Sequence, residues 1–452
     1  MKILVVGAGK VGYTIASVLS KEKHDVTLLD TEASKLKTAS DRLDVQCVQG
    51  SGTSIQSLLE AGVEEADLLI AVTDRDEVNM LCCLTGKRKG ARHTIARIRD
   101  LEYTQESGKL QSELGLDMVI NPEHQTAMEI SRILRFPAAI SIDPFVSGRI
   151  ELVAYRILKD DPLIGVQLKN AMVRTSEQVL FCFVERGGEL MIPGGSTALE
   201  EGDVAYIIGQ GSQISSFFHS IGRKTHGVKN TMIIGGGRIC RYLAENASRS
   251  GIRVKIIEKD KNKCRQLNEE LDDCFIVNGD GTDINLLESE NLQDCESAVF
   301  VTGNDEENAI TALYARHVGV QKVVVKMSRD EYIPLLKGLE VDTVVIPKNI
   351  TAVQIVRYVR AMENSREEGS VEMLYSLAGG KGEALQFTVD AGTRNLDIPF
   401  MQIAFKPDVL VAAIHRGSRV LVPSGRDCLK EGDKVIVVSL NRKFLHLNEI
   451  FA

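Results

Sequence analysis

An apolar strand running straight into a glycine turn occurs twice in this chain, and each copy is followed at the same distance by an acid. Residues 3–12 read ILVVGAGKVG and residues 232–240 read MIIGGGRIC. Gly7, Gly9 and Gly12 punctuate the first copy, Gly235 and Gly237 the second. Asp30, ending DVTLLD, and Glu258, ending RVKIIE, each come 23 positions after the first glycine. Strand, glycine turn, helix and acid in this register form the dinucleotide-binding fingerprint. The first glycine permits a tight turn, and the second lets backbone N–H groups approach a pyrophosphate. The helix N-terminus adds partial positive charge. One such motif is weak evidence; two in matching context are strong.

The halves match well beyond the glycines. VQGSGTSIQSLLEAG (Val48–Gly62) answers VNGDGTDINLLESEN (Val277–Asn291), IAVTDRDEVN answers VFVTGNDEEN, and TIARIRDLEY answers VVVKMSRDEY, always 228 or 229 positions later. The offset falls to 225 at Pro122 against Pro347, so the first half carries four extra residues around QESGKLQSELG, read as a variable loop. DVTLLD, VQCVQG, DLLIAV, HTIARI and DMVI are short runs nearly continuous in apolar residues, as strands buried on both faces of a parallel sheet must be. Val11, Ile15 and Leu19 fall on one helix face. Asn121, Pro122 and Glu123 supply a cap, a first-turn proline and a first-turn acid for the helix that follows. Each half therefore opens with a Rossmann-like, doubly wound α/β lobe, residues 1–135 and 229–360.

A second repeat follows each lobe. Arg186-Gly187 through IPGGSTALEEGDVAYIIG matches Arg416-Gly417 through VPSGRDCLKEGDKVIVVS, 230 positions on. The Pro-x-Gly and Glu-Gly-Asp turns, with Val204 and Tyr206 or Val435 and Val437 alternating beside them, predict β-hairpins in two small α+β C-lobes, residues 145–222 and 370–452. Asp203 and Asp433 are expected to cap turns there, not to bind metal. RKTHGVKN, 223–230, reads as the polar joint between the halves.

Composition narrows the function. A chain of 452 residues, 44% apolar and 26% charged, is globular and long enough for about three or four domains. A net charge of −8 gives no basic face for nucleic acid. Nine cysteines without a CxxC and eight scattered histidines suit reduced thiols and offer no metal cluster. No apolar run approaches the roughly 18–20 residues that cross a bilayer, so a soluble protein is expected, reaching any membrane through a partner.

The chemistry is that of binding, not turnover. Lys10 and Arg238 follow the second glycine of each motif, where a cation can meet phosphate. Asp30 and Glu258 can accept both ribose hydroxyls and would repel a 2′-phosphate, which favours NAD(H) over its phosphorylated form and leaves ATP or ADP open. Thr53, Thr73 and Asp74 follow strands, where the crevice of an open α/β sheet lies. Arg97 is a charge on an otherwise apolar strand, aimed either into the cleft or at a carboxylate on the sheet edge; Lys326 is its counterpart. Cys240 stands where the second motif would have its third glycine. His93, His124 and His317 lack partners at telling spacings, His93 and His317 reading as helix-end or loop residues. The GxxxxGK[ST] spacing of a P-loop is absent, and no catalytic set appears.

These residues resemble the TrkA family, peripheral NAD-binding subunits of Trk potassium uptake systems built from two tandem RCK (KTN) modules. GAGKVG with Asp30, GSGT, AVTDRDEVN, ARIRD, INPE, LRFP and SIDPFVSGRIEL read like the first module. GGGRIC with Glu258, NGDGTD, TGNDEEN and VVVKMSRDEY read like the second. The resemblance implies nucleotide contacts at Gly7, Ala8, Gly9, Lys10, Val11, Gly12, Asp30, Thr53, Thr73, Asp74 and Arg97. In the second lobe it implies Gly235, Gly236, Gly237, Arg238, Ile239 and Glu258. Cys240 and Gly303, the latter in the place of Asp74, depart from the pattern. Glu123 stands where related modules can bind a cation between lobes; its counterpart Lys348 could not. The implied function is non-enzymatic: a cytoplasmic homotetrameric ring whose nucleotides gate a Trk-type potassium-translocating membrane subunit. A soluble NAD-dependent oxidoreductase and a regulator of a different monovalent-cation transporter are the alternatives. The apolar faces of Ala352, Ile355, Val356 and Val359 are expected to be more than a single chain covers, with the helices after Asn121 and Lys348 as the contacts through which the tandem lobes pair with each other and with neighbouring chains.

Overall fold

The computed structural model describes residues 1–452 except 101–102, 104–110, 112, 171–178, 224–226, 340, 342, 365–370, 378–380 and 441–443. The expected variable loop and the joint between the halves lie largely or partly outside the described residues. Near-continuous apolar runs become parallel strands because both faces of each sheet are covered by helices. In N-lobe 1, β1 (Lys2–Val6), β2 (Asp25–Asp30), β3 (Gln46–Gln49), β4 (Leu68–Ala71), β5 (His93–Arg97) and β6 (Met118–Ile120) form one sheet in the order β3-β2-β1-β4-β5-β6. This is the doubly wound order, with its reversal between β1 and β4. His93 opens β5 and bonds Asp117, so it is a strand residue and not the helix-end or loop residue expected. His317 does close a helix, Asp305–His317.

C-lobe 1 is an antiparallel sheet of β7 (Ala139–Phe145), β8 (Ile150–Arg156), β9 (Leu180–Arg186), β10 (Glu189–Met191) and β11 (Val204–Gly209). Its first strand starts ahead of residue 145 because β7 must run the length of β8 to pair with it. N-lobe 2 repeats the first sheet with β12 (Asn230–Ile234), β13 (Arg253–Glu258), β14 (Cys274–Asn278), β15 (Ser297–Phe300), β16 (Lys322–Lys326) and β17 (Thr343–Val345). C-lobe 2 holds β18 (Val371–Leu377), β19 (Gly382–Thr388), β20 (Val409–Arg416), β21 (Arg419–Leu421) and β22 (Lys434–Leu440).

The C-lobe hairpins are not where the alternation pointed. The tight hairpins join β9 to β10 and β20 to β21, around Gly187 and Gly417. The strands of Val204 and Val435 are instead central and covered on both faces: Ala205 and Ile207 face their own lobe's core, whereas Val204, Tyr206 and Ile208 face the other C-lobe. Asp203 accepts the Glu200 N–H at 2.9 Å and Asp433 the Lys430 N–H at 2.8 Å, as turn caps do. Each is also buried in a two-pronged bond with an arginine, Arg186 or Arg416, which the turn reading missed.

The two modules are wound around each other. Helix Pro347–Asn364, which closes N-lobe 2, packs on helix Lys10–Lys21 of N-lobe 1. Ala352, Ile355, Val356 and Val359 are at most 4% exposed and share a core with Ile15 and Leu19. The lobes pair with each other through this helix as expected, but the expectation that a single chain leaves these four residues uncovered is corrected: the chain buries them itself. Arg360, buried, locks the crossing to Glu22. Reciprocally, helix Pro122–Arg135 of N-lobe 1 packs on helix Arg238–Arg249 of N-lobe 2, with Ala127, Ile130 and Leu134 against Leu243 and Ala247, and Asn121 donating to the Tyr242 hydroxyl at 2.9 Å. Among the described residues no helix is long and apolar enough to cross a membrane.

Candidate nucleotide-binding site

Gly7 leaves β1 at φ +103°, and a Cβ there would lie 3.0 Å from the Thr73 nitrogen. Gly12 is packed still harder: a Cβ would lie 1.8 Å from the Gly7 carbonyl oxygen. The first helical turn thus sits directly on the glycine turn and aims its free N–H groups at the crevice. Asp30, at the end of β2, accepts the Ala8 N–H at 2.6 Å through one oxygen and the Glu32 N–H at 2.9 Å through the other. The carboxylate therefore holds the turn in shape, and each oxygen retains lone-pair capacity for a ribose hydroxyl.

Beyond β4, the loop is pinned by two buried side chains that the motif spelling contains but whose role it does not reveal. Asn79 accepts from the Thr73 N–H at 2.8 Å and hydroxyl at 2.7 Å, and donates to the Arg97 carbonyl at 2.8 Å. Asp76 accepts the N–H groups of Arg99 and Asp100 at 2.7 and 2.8 Å. Thr302, Asn308 and Asp305 repeat the arrangement in N-lobe 2. Only their recurrence at a constant offset hinted at this.

The crevice so formed in N-lobe 1 has a volume of about 650 Å³. Gly7, Gly9, Lys10, Val11, Asp30, Thr73, Asp74 and Arg97 all line it. Ala8 and Gly12 lie on the packed side of the turn, and the GSGT loop contributes Gly50, Ser51 and Gly52 while Thr53 turns back to Ser51 at 2.8 Å. Of the two readings of Arg97, the cleft prevails: its guanidinium donates to the Thr73 carbonyl and, among the described residues, not to a carboxylate. Burial, then the neighbouring Arg99, lowers its pKa. Lys35 and Arg75 also line the cleft and were passed over. Lys35 could have been found, because Lys263 answers it 228 positions on and lines the second cleft.

That second cleft is smaller, about 390 Å³. Gly235, at φ +104°, Gly236, Gly237 and Glu258 line it, whereas Arg238 and Ile239 do not. Glu258 copies Asp30, accepting the Gly236 N–H at 2.7 Å and the Asp260 N–H at 2.8 Å. The charges differ. Lys10, Lys35, Arg75 and Arg97 face Asp30, Glu32 and Asp74 in the first cleft; only Lys259 and Lys263 face Glu258, Asp280 and Glu307 in the second. Position by position, Arg75 has become Asn304, Ser51 has become Asp280 and Val78 has become Glu307. Asp280 is held ionised by the Thr282 amide and hydroxyl, which lower its pKa. Lys326, in Arg97's place, donates to the Thr302 carbonyl at 2.6 Å and does not line the cleft. Burial lowers its pKa, against the pull of Asp305.

A family model, the TrkA-N domain, matches residues 3–122 and again 231–347, and the TrkA-C domain matches residues 152–222. The chain is similar to the Trk system potassium uptake protein TrkA of Halomonas elongata, with 31% identity over 451 residues covering 98% of this chain and 96% of the relative. It is as similar to TrkA of Haemophilus influenzae, 31% over 452 residues with the same coverage. Trk system potassium uptake protein TrkA homolog 2 of Methanosarcina mazei is 29% identical over the whole of both chains. Among solved structures, the GsuK channel superposes with a TM-score of 0.65 at 19% identity, covering 97% of this chain and 77% of that one. The GsuK channel bound to NAD gives 0.63 with the same identity and coverage. At this identity the likeness is one of fold.

Proposed function

Because the chain belongs to the TrkA family, we propose that it is a nucleotide-sensing regulatory subunit of potassium uptake. The first cleft binds NAD(H), or ATP or ADP, and the bound nucleotide sets the conformation of an assembly that gates a Trk-type potassium-translocating membrane subunit. The relatives' names support the transport role, and the GsuK channel bound to NAD supports a dinucleotide in this fold. The observation that supports the reading is the first cleft itself: Asp30, bonded to the glycine turn, lines one space with Lys10, Lys35, Arg75 and Arg97, groups suited to a ribose and to phosphates. The division into lobes at 1–135, about 139–222, 229–364 and 370–452 belongs to the same proposal.

No catalysis is part of it. The chain acts through differential affinity of a nucleotide for two conformations, which needs no acid or base beside a substrate. The mutual winding of the modules fixes a pseudo-symmetric pair of N-lobes in each chain, and four chains would supply eight. Ile310 and Leu335, 70% and 62% exposed on N-lobe 2, are apolar surface available to neighbours. The protein would lie at the cytoplasmic face of the cell membrane, held by its partner. Calorimetry with NADH, NAD, ATP and ADP tests the site, and light scattering tests the assembly, with a mass near four times 49.6 kDa expected. A strict monomer with and without nucleotide would sink the ring. Steady oxidation of NADH with a small substrate would favour the oxidoreductase alternative.

A further inference from the structure

Along the carboxyl edge of the N-lobe 2 sheet, the parts of the second cleft stand in a row. The strand order β14-β13-β12-β15 puts the loop after β14, with Asp280, at one end. Glu258, closing β13, comes next, then the glycine turn after β12, then the loop after β15 with Gly303, Asn304 and Glu307. In a cradle of this kind the ribose lies at the acid and the phosphate joined to it at the glycine turn, while the rest of a dinucleotide crosses the reversal of strand order. The base therefore falls beyond Glu258, at Asp280. A second phosphate falls beyond the turn, at Asn304 and Glu307.

The two ends of the row have changed in opposite senses from the first cleft. At the base end Asp280 replaces Ser51. One of its oxygens accepts the Thr282 N–H at 2.9 Å and hydroxyl at 2.7 Å, which fixes the carboxylate and leaves the other oxygen to accept from an exocyclic amino group. At the far end Asn304 replaces Arg75, and Lys326 does not line the cleft as Arg97 does. Glu307, which accepts from the Asn304 amide at 3.0 Å, replaces Val78. The middle of the row is kept for one phosphate. Gly235, Gly236 and Gly237 lead into helix Arg238–Arg249, and Lys259, in the place of Thr31, joins Lys263. The smaller volume, about 390 against 650 Å³, agrees with a shorter ligand.

We propose that the second cleft selects a nucleoside monophosphate with an amino-bearing base, AMP being the type, against ligands with two or more phosphates. This rests on the reading of the chain as a nucleotide sensor and adds a second input to it: each chain compares a monophosphate in one cradle with a dinucleotide or polyphosphate in the other.

The test is calorimetric titration of AMP into the full chain held in saturating ADP. One AMP per chain is expected, bound about tenfold more tightly than IMP, which lacks the amino group. Glu258→Ala should weaken AMP about tenfold or more. Asp280→Ser, which installs the first lobe's residue and spares the bond from Glu258 to the turn, should remove the preference over IMP. An ADP affinity indifferent to Asp30→Ala would strike the first-cleft reading and not this one. No AMP binding by the parent, an affinity unchanged in Glu258→Ala, ADP displacing AMP at equal concentration, or IMP binding as tightly as AMP would each overturn the proposal.

Discussion

The two nucleotide cradles share a backbone and part company in charge. Both end a strand in a glycine of positive φ, both have an acid bonded to the turn's N–H, and both pin the opposite loop with a buried asparagine and aspartate. Yet the first cleft collects four cations against three acids, and the second two cations against three acids. The scaffold that builds a crevice is thus separable from the side chains that decide what enters it. A polyphosphate is attracted to the first and repelled from the second, so the expected asymmetry is one strong site per chain.

The third glycine gives the severest way to break this comparison. Gly12→Cys installs the second lobe's residue in the first, where its Cβ would lie 1.8 Å from a backbone oxygen. The helix must lift off the turn; a loss of about 3 kcal/mol of stability and of nucleotide binding in the first cleft is expected. Cys240→Gly, in contrast, removes a fully buried thiol and costs about 1 kcal/mol, with second-cleft binding unchanged. Melting and calorimetry on both variants decide it, and a Gly12→Cys protein that still binds NADH would show that the first helix has slack the packing denies.

Next in size is the acid. Asp30→Ala should weaken nucleotide binding by about 1–3 kcal/mol, the range for a hydrogen bond to a charged group. Glu258→Ala should leave the measured affinity almost unchanged, because the first cleft dominates it. Equal losses in the two variants would make the cradles equivalent and the charge argument wrong. A smaller effect comes from transplanting charge. Asp280→Ser with Glu307→Val gives the second cleft the first lobe's residues, and a second ADP per chain should become measurable, strengthened roughly tenfold. If stoichiometry stays at one, cleft volume and not charge excludes the ligand.

Much of this was legible in the chain. Parallel strands buried on both faces advertise themselves as apolar runs, and Asp30 and Glu258 were placed by counting from a glycine. What stayed hidden was whatever depends on the partner surface. The stripe Ala352, Ile355, Val356 and Val359 says that a helix is buried but not against what, and the answer is a helix more than 300 residues earlier. The alternation at Val204 read as a hairpin arm because the second C-lobe that covers this strand lies far along the sequence. Arg238 matched Lys10 in spelling yet does not line the cleft, since the direction of a long side chain is not set by its position in a motif.

The smallest expected effect concerns the place where the modules cross. Arg132 and Arg357 are repeat mates on the two crossing helices, but the acids beside them are not repeated: Glu129 answers Gln354, and Asp143 answers Tyr375. Burial, with help from Asp143, pushes Glu129 up to about 7, and burial pushes Asp143 up to about 6, against the pull of both arginines. Carboxyl groups whose pKa is raised in the folded state bind protons there more tightly than in the unfolded chain. Their contribution to stability is therefore fully present below about pH 4 and is lost as pH rises through 6 to 7. Glu129→Gln, which gives the first helix the second helix's residue, should flatten this part of the melting profile. At pH 8 it should raise the melting temperature by about 1 °C, the shift expected for about 1 kcal/mol in a chain of 452 residues. A variant that melts lower than the parent at pH 8 would mean that the arginine pairings outweigh burial, and that this asymmetry between the modules holds them together instead of loosening them.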